Sequence, residues 1–154
     1  DISLKKVKRI YNAFVWGKPI HNSGRINSNI GRDTADRKKM KVVNNGGRSA
    51  ITDYKLIERY EVASLLECSL QTGRTHQIRV HLSYEGIPII GDKFYAKGRT
   101  VSNKLSAYIK NFGRQALHSV KISFIHPISK KPLIFDTHLP EDIRLLKKEL
   151  ENII

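Results

Sequence analysis

The chain has 154 residues, of which 40% are hydrophobic and 27% are charged. This mixture excludes a wholly disordered chain and is typical of one domain with a buried core. The 28 Lys and Arg residues outnumber the 14 Asp and Glu residues, giving a net charge of +14. A compact domain with this excess is expected to bind a polyanion, most often nucleic acid, although a basic surface that serves solubility alone is the alternative.

The first seventy residues predict strands joined by polar turns and loops. The short link between the last two of these strands predicts an antiparallel hairpin. The predicted strands are residues 10–16, 24–31, 49–60 and 63–70. A basic loop is predicted at residues 32–41, and the NNGG sequence at residues 44–47 predicts a turn.

The second half of the chain adds helices to the strands. Thr72 and Thr75 are both suitable N-caps, and Gly86 followed by Pro88 predicts the end of the helix that they begin. The predicted helices are residues 75–85, 102–112 and 140–153, and the predicted strands are residues 114–125 and 132–139. The whole pattern predicts an α+β fold with a mixed, mostly antiparallel sheet and a few packed helices.

One cysteine, Cys68, excludes an internal disulfide and a zinc site built from several cysteines. It lies in an apolar stretch, so we expect a buried structural thiol. The chain has no signal peptide and no apolar run of membrane-spanning length, which predicts a cytoplasmic protein without a membrane role. No predicted helix has an exposed apolar face, so we expect a monomer.

Residues 71–82 (QTGRTHQIRVHL) combine many hydrogen-bond donors with the apolar Ile78 and Leu82, which are expected to face the core together. If a helix begins at Thr75, its free N–H groups converge with Arg74 and Arg79 on one region, which predicts an anion pocket. An ion pair between Arg79 and an acid inside the fold is the alternative. A core rarely accepts so many donors without a function. The candidate anion-binding residues are Arg74, His76, Gln77, Arg79 and His81.

The sequence does not predict a metal site or a cofactor. His76 and His81 are five residues apart, which separates them by about 140° on a helix, whereas histidine ligands on zinc-binding helices are four residues apart. No nucleophile elbow and no glycine-rich phosphate motif is present in the sequence. Several basic clusters beside an anion pocket favour RNA over a small ligand.

The motif at residues 71–82, together with GDKFY at residues 91–95, resembles the third signature of the RluA-type RNA pseudouridine synthases. Further segments are similar to the family's basic-x-Tyr segment, its basic loop and its late strand motif. They are KRIYNAFVWG at residues 8–17, DRKKM at residues 36–40 and RQALHSVKISFIHP at residues 114–127. The resemblance implies that residues 1–154 are the C-terminal portion of one synthase catalytic domain.

The resemblance implies an enzyme that isomerises uridine to pseudouridine in structured RNA, with 23S ribosomal RNA as the expected substrate and transfer RNA as the other substrate class. The target base is flipped into a pocket, and an aspartate acts as nucleophile. The implied catalytic residues are Arg79, which pairs with that aspartate, and Tyr11, which packs on the base and helps to move the C5 proton. The residues expected to contact RNA are Arg9, Arg37, Lys38, Lys39, Arg74, Thr75, His76, Gln77 and His81.

The family carries its aspartate in an H-R-L-D-x-x-[ST]-G motif before the basic-x-Tyr segment, and the 154 residues contain no such motif. We therefore expect the aspartate to come from a preceding segment and this chain alone to be inactive. Arg79 is then expected to lack its partner and to bind an anion, and Asp92 is expected to be structural. The alternative is a non-catalytic RNA-binding domain derived from the enzyme.

Overall fold

The computed structural model describes residues 7–97 and 99–153, which form two sheets and three helices. The strands are β1 (Lys8–Trp16), β2 (Ser23–Asn27), β3 (Ile30–Arg32), β4 (Met40–Val42), β5 (Ile51–Arg59), β6 (Ala63–Leu70), β7 (Leu117–Ile125) and β8 (Pro132–Asp136). The helices are α1 (Gln77–Tyr84), α2 (Asn103–Phe112) and α3 (Glu141–Glu151). This architecture confirms the predicted α+β fold.

The larger sheet has six strands in the order β2-β5-β6-β1-β7-β8. Its neighbouring strands run antiparallel, including the predicted hairpin of β5 and β6 and the predicted pair of β7 and β8. The first strand lies in the middle, between β6 and β7, so Tyr11 stands opposite Cys68 on one side and Ser119 on the other. The sheet thus carries Tyr11 at its centre.

One hydrophobic core joins the centre of the sheet to all three helices. Cys68 is fully buried there, as expected, and burial raises the pKa of its thiol to about 12. Ile78 and Leu82 of α1 are both buried, which confirms that they face the core together. Helix α3 contributes Ile143, Leu146 and Leu150. No helix among the described residues is long and apolar enough to cross a membrane.

The prediction for residues 24–41 was wrong in detail. The single strand predicted at residues 24–31 is split into β2 and β3, and both ends of the predicted basic loop are strand residues that pair β3 with β4. This hairpin forms because Ile30 is buried with Val80 of α1 in a second small core, against which Met40 and Val42 pack. The loop proper is therefore residues 33–39, at the tip of the hairpin.

Helix α1 begins at Gln77, two residues later than predicted, and neither threonine is its N-cap. His76 precedes the helix in the left-handed conformation, with φ 56°, and it makes no side-chain cap. The side chain of Gln77 closes the turn instead, since its Oε1 accepts hydrogen bonds from the Arg74 amide at 2.9 Å and from the Thr72 hydroxyl at 2.7 Å. The predicted end is confirmed by Gly86, which has φ 80°.

Candidate active site

A cleft of about 360 Å³ lies between the central strand β1, the start of α1 and the end of β6. Tyr11 from the sheet and Arg79 from the helix both line it, although they are far apart in the sequence. Four more of the predicted site residues also line this cleft: Arg9, Arg74, His76 and Gln77. The fold therefore brings together both predicted catalytic side chains and four of the predicted RNA-binding residues.

Arg79 has a partner, so the prediction that it is unpaired in this chain was wrong. Its Nε and Nη2 donate hydrogen bonds of 2.8 and 2.9 Å to the two carboxylate oxygens of Asp92. The Asp92 side chain is fully buried, and that of Arg79 is 12% exposed. The Asp92 carboxylate also accepts bonds from the amides of Phe94 and Tyr95. Asp92 is thus structural, as expected, and its role is to hold the arginine.

The electrostatics of this ion pair keep both groups charged. Burial opposes ionisation of Asp92, but Arg79 and the amides of Phe94 and Tyr95 outweigh it, and the pKa of Asp92 lies below its usual value. The guanidinium carbon of Arg79 lies 5.4 Å from the centre of the Phe94 ring and 5.0 Å from that of Tyr95, in cation–π contact. These contacts fix the arginine in one orientation at the cleft wall.

One terminal nitrogen of Arg79 has no hydrogen-bond partner among the described residues. Among residues 7–97 and 99–153, every buried side-chain nitrogen or oxygen has a hydrogen-bond partner. The Nη1 atom of Arg79 bonds to none of these residues, because Asp92 engages Nε and Nη2, so it is accessible to solvent. A planar guanidinium can bind a second acceptor through that edge while it keeps the first.

Gln77 and His81 are both buried. Gln77 lies at the back of the cleft with 3% of its surface exposed, and its Nε2 donates to Thr52 and to the carbonyl of Ile51. His81 is fully buried and bonds to Thr52 through Nδ1 and to the carbonyl of Ser28 through Nε2. Their polar atoms are satisfied within the fold, so neither is included in the RNA contact proposed below.

A second groove of about 410 Å³ adjoins the cleft and shares Gly73 and Arg74 with it. Arg32 and Arg48 line this groove, and Thr75, which is exposed, lies at its edge. The Arg74 side chain is held in place because its Nε donates to the carbonyl of Ser49 at 2.7 Å. The predicted site did not include Arg32 and Arg48. The signals that could have identified them are the position of Arg48 directly after the NNGG turn and that of Arg32 at the start of the predicted basic loop.

The three predicted basic residues of the loop lie at the tip of the β3–β4 hairpin. Arg37 and Lys38 are exposed, and Lys39 is half-buried with its Nζ 5.9 Å from the centre of the Phe94 ring. The carbonyl of Arg37 accepts a hydrogen bond from Arg32, which orders the loop. In the described part of the chain, no group of three or more His, Cys, Asp or Glu residues is placed to hold a metal ion.

Comparison with known proteins identifies the family of this chain. A family model described as RNA pseudouridylate synthase matches residues 2–84. The chain belongs to this family. Ribosomal large subunit pseudouridine synthase D of Zymomonas mobilis is 41% identical over 145 residues, which cover 94% of this chain and 45% of that protein. The protein of the same name from Neisseria meningitidis serogroup A is 44% identical, over 93% of this chain and 38% of its own length.

The fold of this pseudouridylate synthase chain is also similar to solved structures. Human RNA pseudouridylate synthase domain containing 1 superposes with a TM-score of 0.71 at 22% identity, over 97% of this chain and 67% of that one. Human RNA pseudouridylate synthase domain containing 4 gives a TM-score of 0.70, also at 22% identity. The chain spans less than half the length of the two bacterial relatives.

Proposed function

We propose that the protein containing this chain converts uridine to pseudouridine in the ribosomal RNA of the large subunit. The observation that carries the proposal is the cleft in which Tyr11 and Arg79 meet, flanked by Arg9 and Arg74. The names of the relatives from Zymomonas and Neisseria support the substrate class. The net charge of +14 is consistent with an RNA substrate.

In the proposed reaction, the target uridine is flipped from its helix into the cleft and packs on Tyr11. An aspartate outside these 154 residues is the nucleophile, and its carboxylate oxygen bonds to C1′ of the ribose as the bond between C1′ and N1 of the base breaks. The base rotates, C5 bonds to C1′ as the bond between C1′ and the aspartate breaks, and the proton lost from C5 is balanced by one gained at N1. The product is an isomer of the substrate, so no co-reactant is needed.

Arg79 is proposed to orient the nucleophile. Asp92 engages Nε and Nη2, so the second carboxylate would bind the accessible Nη1. An arginine between two carboxylates keeps both ionised, and an ionised aspartate is the form that acts as nucleophile. On this proposal, the chain without that aspartate binds RNA and makes no product.

Residues of the hairpin tip and of the second groove are proposed to bind the RNA backbone next to the target. The hairpin tip supplies Arg37 and Lys38, and the groove supplies Arg74 and Thr75. Each phosphate that is neutralised releases counterions, so affinity is expected to fall steeply with salt. The Lys38→Gln variant should reduce the slope of log affinity against log salt by about 1, without changing the modified position.

The proposal is tested by measuring pseudouridine in a large-subunit RNA substrate with the full-length protein and two variants of Tyr11. Tyr11→Phe keeps the ring and Tyr11→Leu removes it, and both should bind RNA nearly as tightly as wild type while losing turnover. If wild type binds RNA tightly and never makes pseudouridine, the RNA-binding alternative is the better account. If both variants turn over normally, the role assigned to Tyr11 is wrong.

A further inference from the structure

The side chain of Tyr95 joins three parts of the molecule beside the cleft. Its hydroxyl oxygen lies 2.9 Å from the amide nitrogen of Met40 in β4 and 2.9 Å from Nδ1 of His76. Tyr95 and Met40 both pack against the small core that contains Val80. One tyrosine therefore connects the hairpin that carries the basic loop to a residue that lines the cleft.

The direction of these two hydrogen bonds follows from their donors. The Met40 amide can only donate, so the Tyr95 oxygen accepts from it. If Nδ1 of His76 also carried a proton, the hydroxyl proton of Tyr95 would have no acceptor among the described residues. If Nδ1 is unprotonated, Tyr95 donates to it and every group is satisfied. This arrangement favours the neutral tautomer of His76, with its proton on Nε2.

The surroundings of His76 also favour the neutral ring. Burial lowers the pKa of His76 and the charge of Arg79 lowers it further, whereas Asp92 acts in the opposite direction. Nε2 bonds to none of the described residues, and because every buried side-chain nitrogen there has a partner, Nε2 is accessible to solvent. Since the ring lines the cleft with Arg9 and Arg74, a phosphate oxygen is the acceptor that this electropositive site attracts.

We propose that Tyr95 is a positioning residue, which holds His76 as a neutral Nε2–H donor to an RNA phosphate oxygen in the cleft and holds the basic loop beside it. This inference rests on the proposed function and adds a residue to it. The hydroxyl of Tyr95 couples the two contacts, because the same oxygen accepts from the hairpin and donates to the cleft residue.

The test compares Tyr95→Phe with Tyr84→Phe in the full-length protein. Tyr84 is the last residue of α1 and is 61% exposed. Nitrogen NMR of wild type should show the Nε2–H tautomer of His76. Tyr95→Phe should raise the pKa of His76, because the neutral ring loses a donor, and should accelerate hydrogen exchange of the Met40 amide. Tyr84→Phe should leave both unchanged.

The kinetic effect separates positioning from general damage to the fold. Tyr95→Phe should raise KM for RNA by roughly two- to twelve-fold, the range that corresponds to one neutral hydrogen bond, with kcat nearly constant. The Nδ1–H tautomer in wild type, or wild-type Met40 exchange and KM in Tyr95→Phe, would overturn the inference. Failure of the proposed function itself would be seen separately, as wild-type protein that makes no pseudouridine while the NMR and exchange results remain as expected.

Discussion

The ion pair between Arg79 and Asp92 makes the sharpest prediction about stability. Asp92→Asn removes the negative charge opposite Arg79. It also replaces one acceptor oxygen by an NH2 group, which faces the N–H donors that bonded to the carboxylate. Both side chains are buried or nearly so, with exposed fractions of 12% for Arg79 and 0% for Asp92. Loss of one partner from such a pair leaves an uncompensated charge, so we expect the free energy of unfolding to fall by about 3 kcal/mol.

The matched control is Asp53→Asn. Asp53 also makes a two-bond pair with an arginine, Arg25, at 2.7 and 3.1 Å, but the side chains are 57% and 30% exposed. An exposed pair contributes little to stability, so Asp53→Asn should lower the free energy of unfolding far less than Asp92→Asn does. Urea unfolding followed by the fluorescence of Trp16, the one tryptophan of the chain, measures both variants. Equal losses in the two would refute the argument that burial makes the Arg79 pair strong.

The same pair predicts a dependence on pH. The pKa of Asp92 is lowered in the folded state, so the stability it contributes is present above the unfolded value of about 3.9 and is lost as the pH falls through the folded pKa. Asp92→Asn should therefore unfold with a weaker dependence on pH below about 4 than wild type. If the free energy of unfolding of the variant fell with acid pH as steeply as that of wild type, other carboxylates would dominate the acid unfolding.

Two further predictions concern the positions that support the site. A Cβ at Gly91, which has φ 81°, would overlap the carbonyl oxygen of Arg114, so Gly91→Ala should destabilise the protein by about 3 kcal/mol. Gly46 has φ 75° and open space around it, and Gly46→Ala should cost only about 1 kcal/mol in the same unfolding assay. Burial lowers the pKa of His81, so NMR should show His81 neutral below pH 6.5, and stability should fall as the pH drops through that value. Titration of His81 at or above pH 6.5 would contradict its assignment to the core.

Local signals explain why most of the fold was predictable. Leu105, Ile109 and Phe112 lie at helical spacing in α2, and α3 has acidic residues in its first turn, so both helices were predicted within two residues of their observed bounds. The hairpin of β3 and β4 was missed because each strand has only three residues, too few for a visible alternation. Contacts with Val80, distant in sequence, stabilise it instead.

The site was predictable as a set of residues but not as a set of contacts. Tyr11, Arg74, His76 and Arg79 were all predicted, and they line one cleft. Asp92 was not predicted to be the partner of Arg79. It lies in an irregular segment after α1, and the path of such a segment depends on tertiary packing. Gln77 and His81 were predicted to contact RNA, and the structure shows both of them buried and bonded to Thr52. The sequence shows which side chains are hydrogen-bond donors, but it does not show which of them bond to other residues inside the core.

The measurement that tests the account most directly is the map of pseudouridine in large-subunit ribosomal RNA from cells that have or lack this protein. The account predicts that deletion removes pseudouridine from one or a few positions, and that wild-type protein restores it whereas Tyr11→Leu does not. An unchanged map after deletion would contradict the proposed function, and restoration by Tyr11→Leu would contradict the assignment of the cleft as its active site.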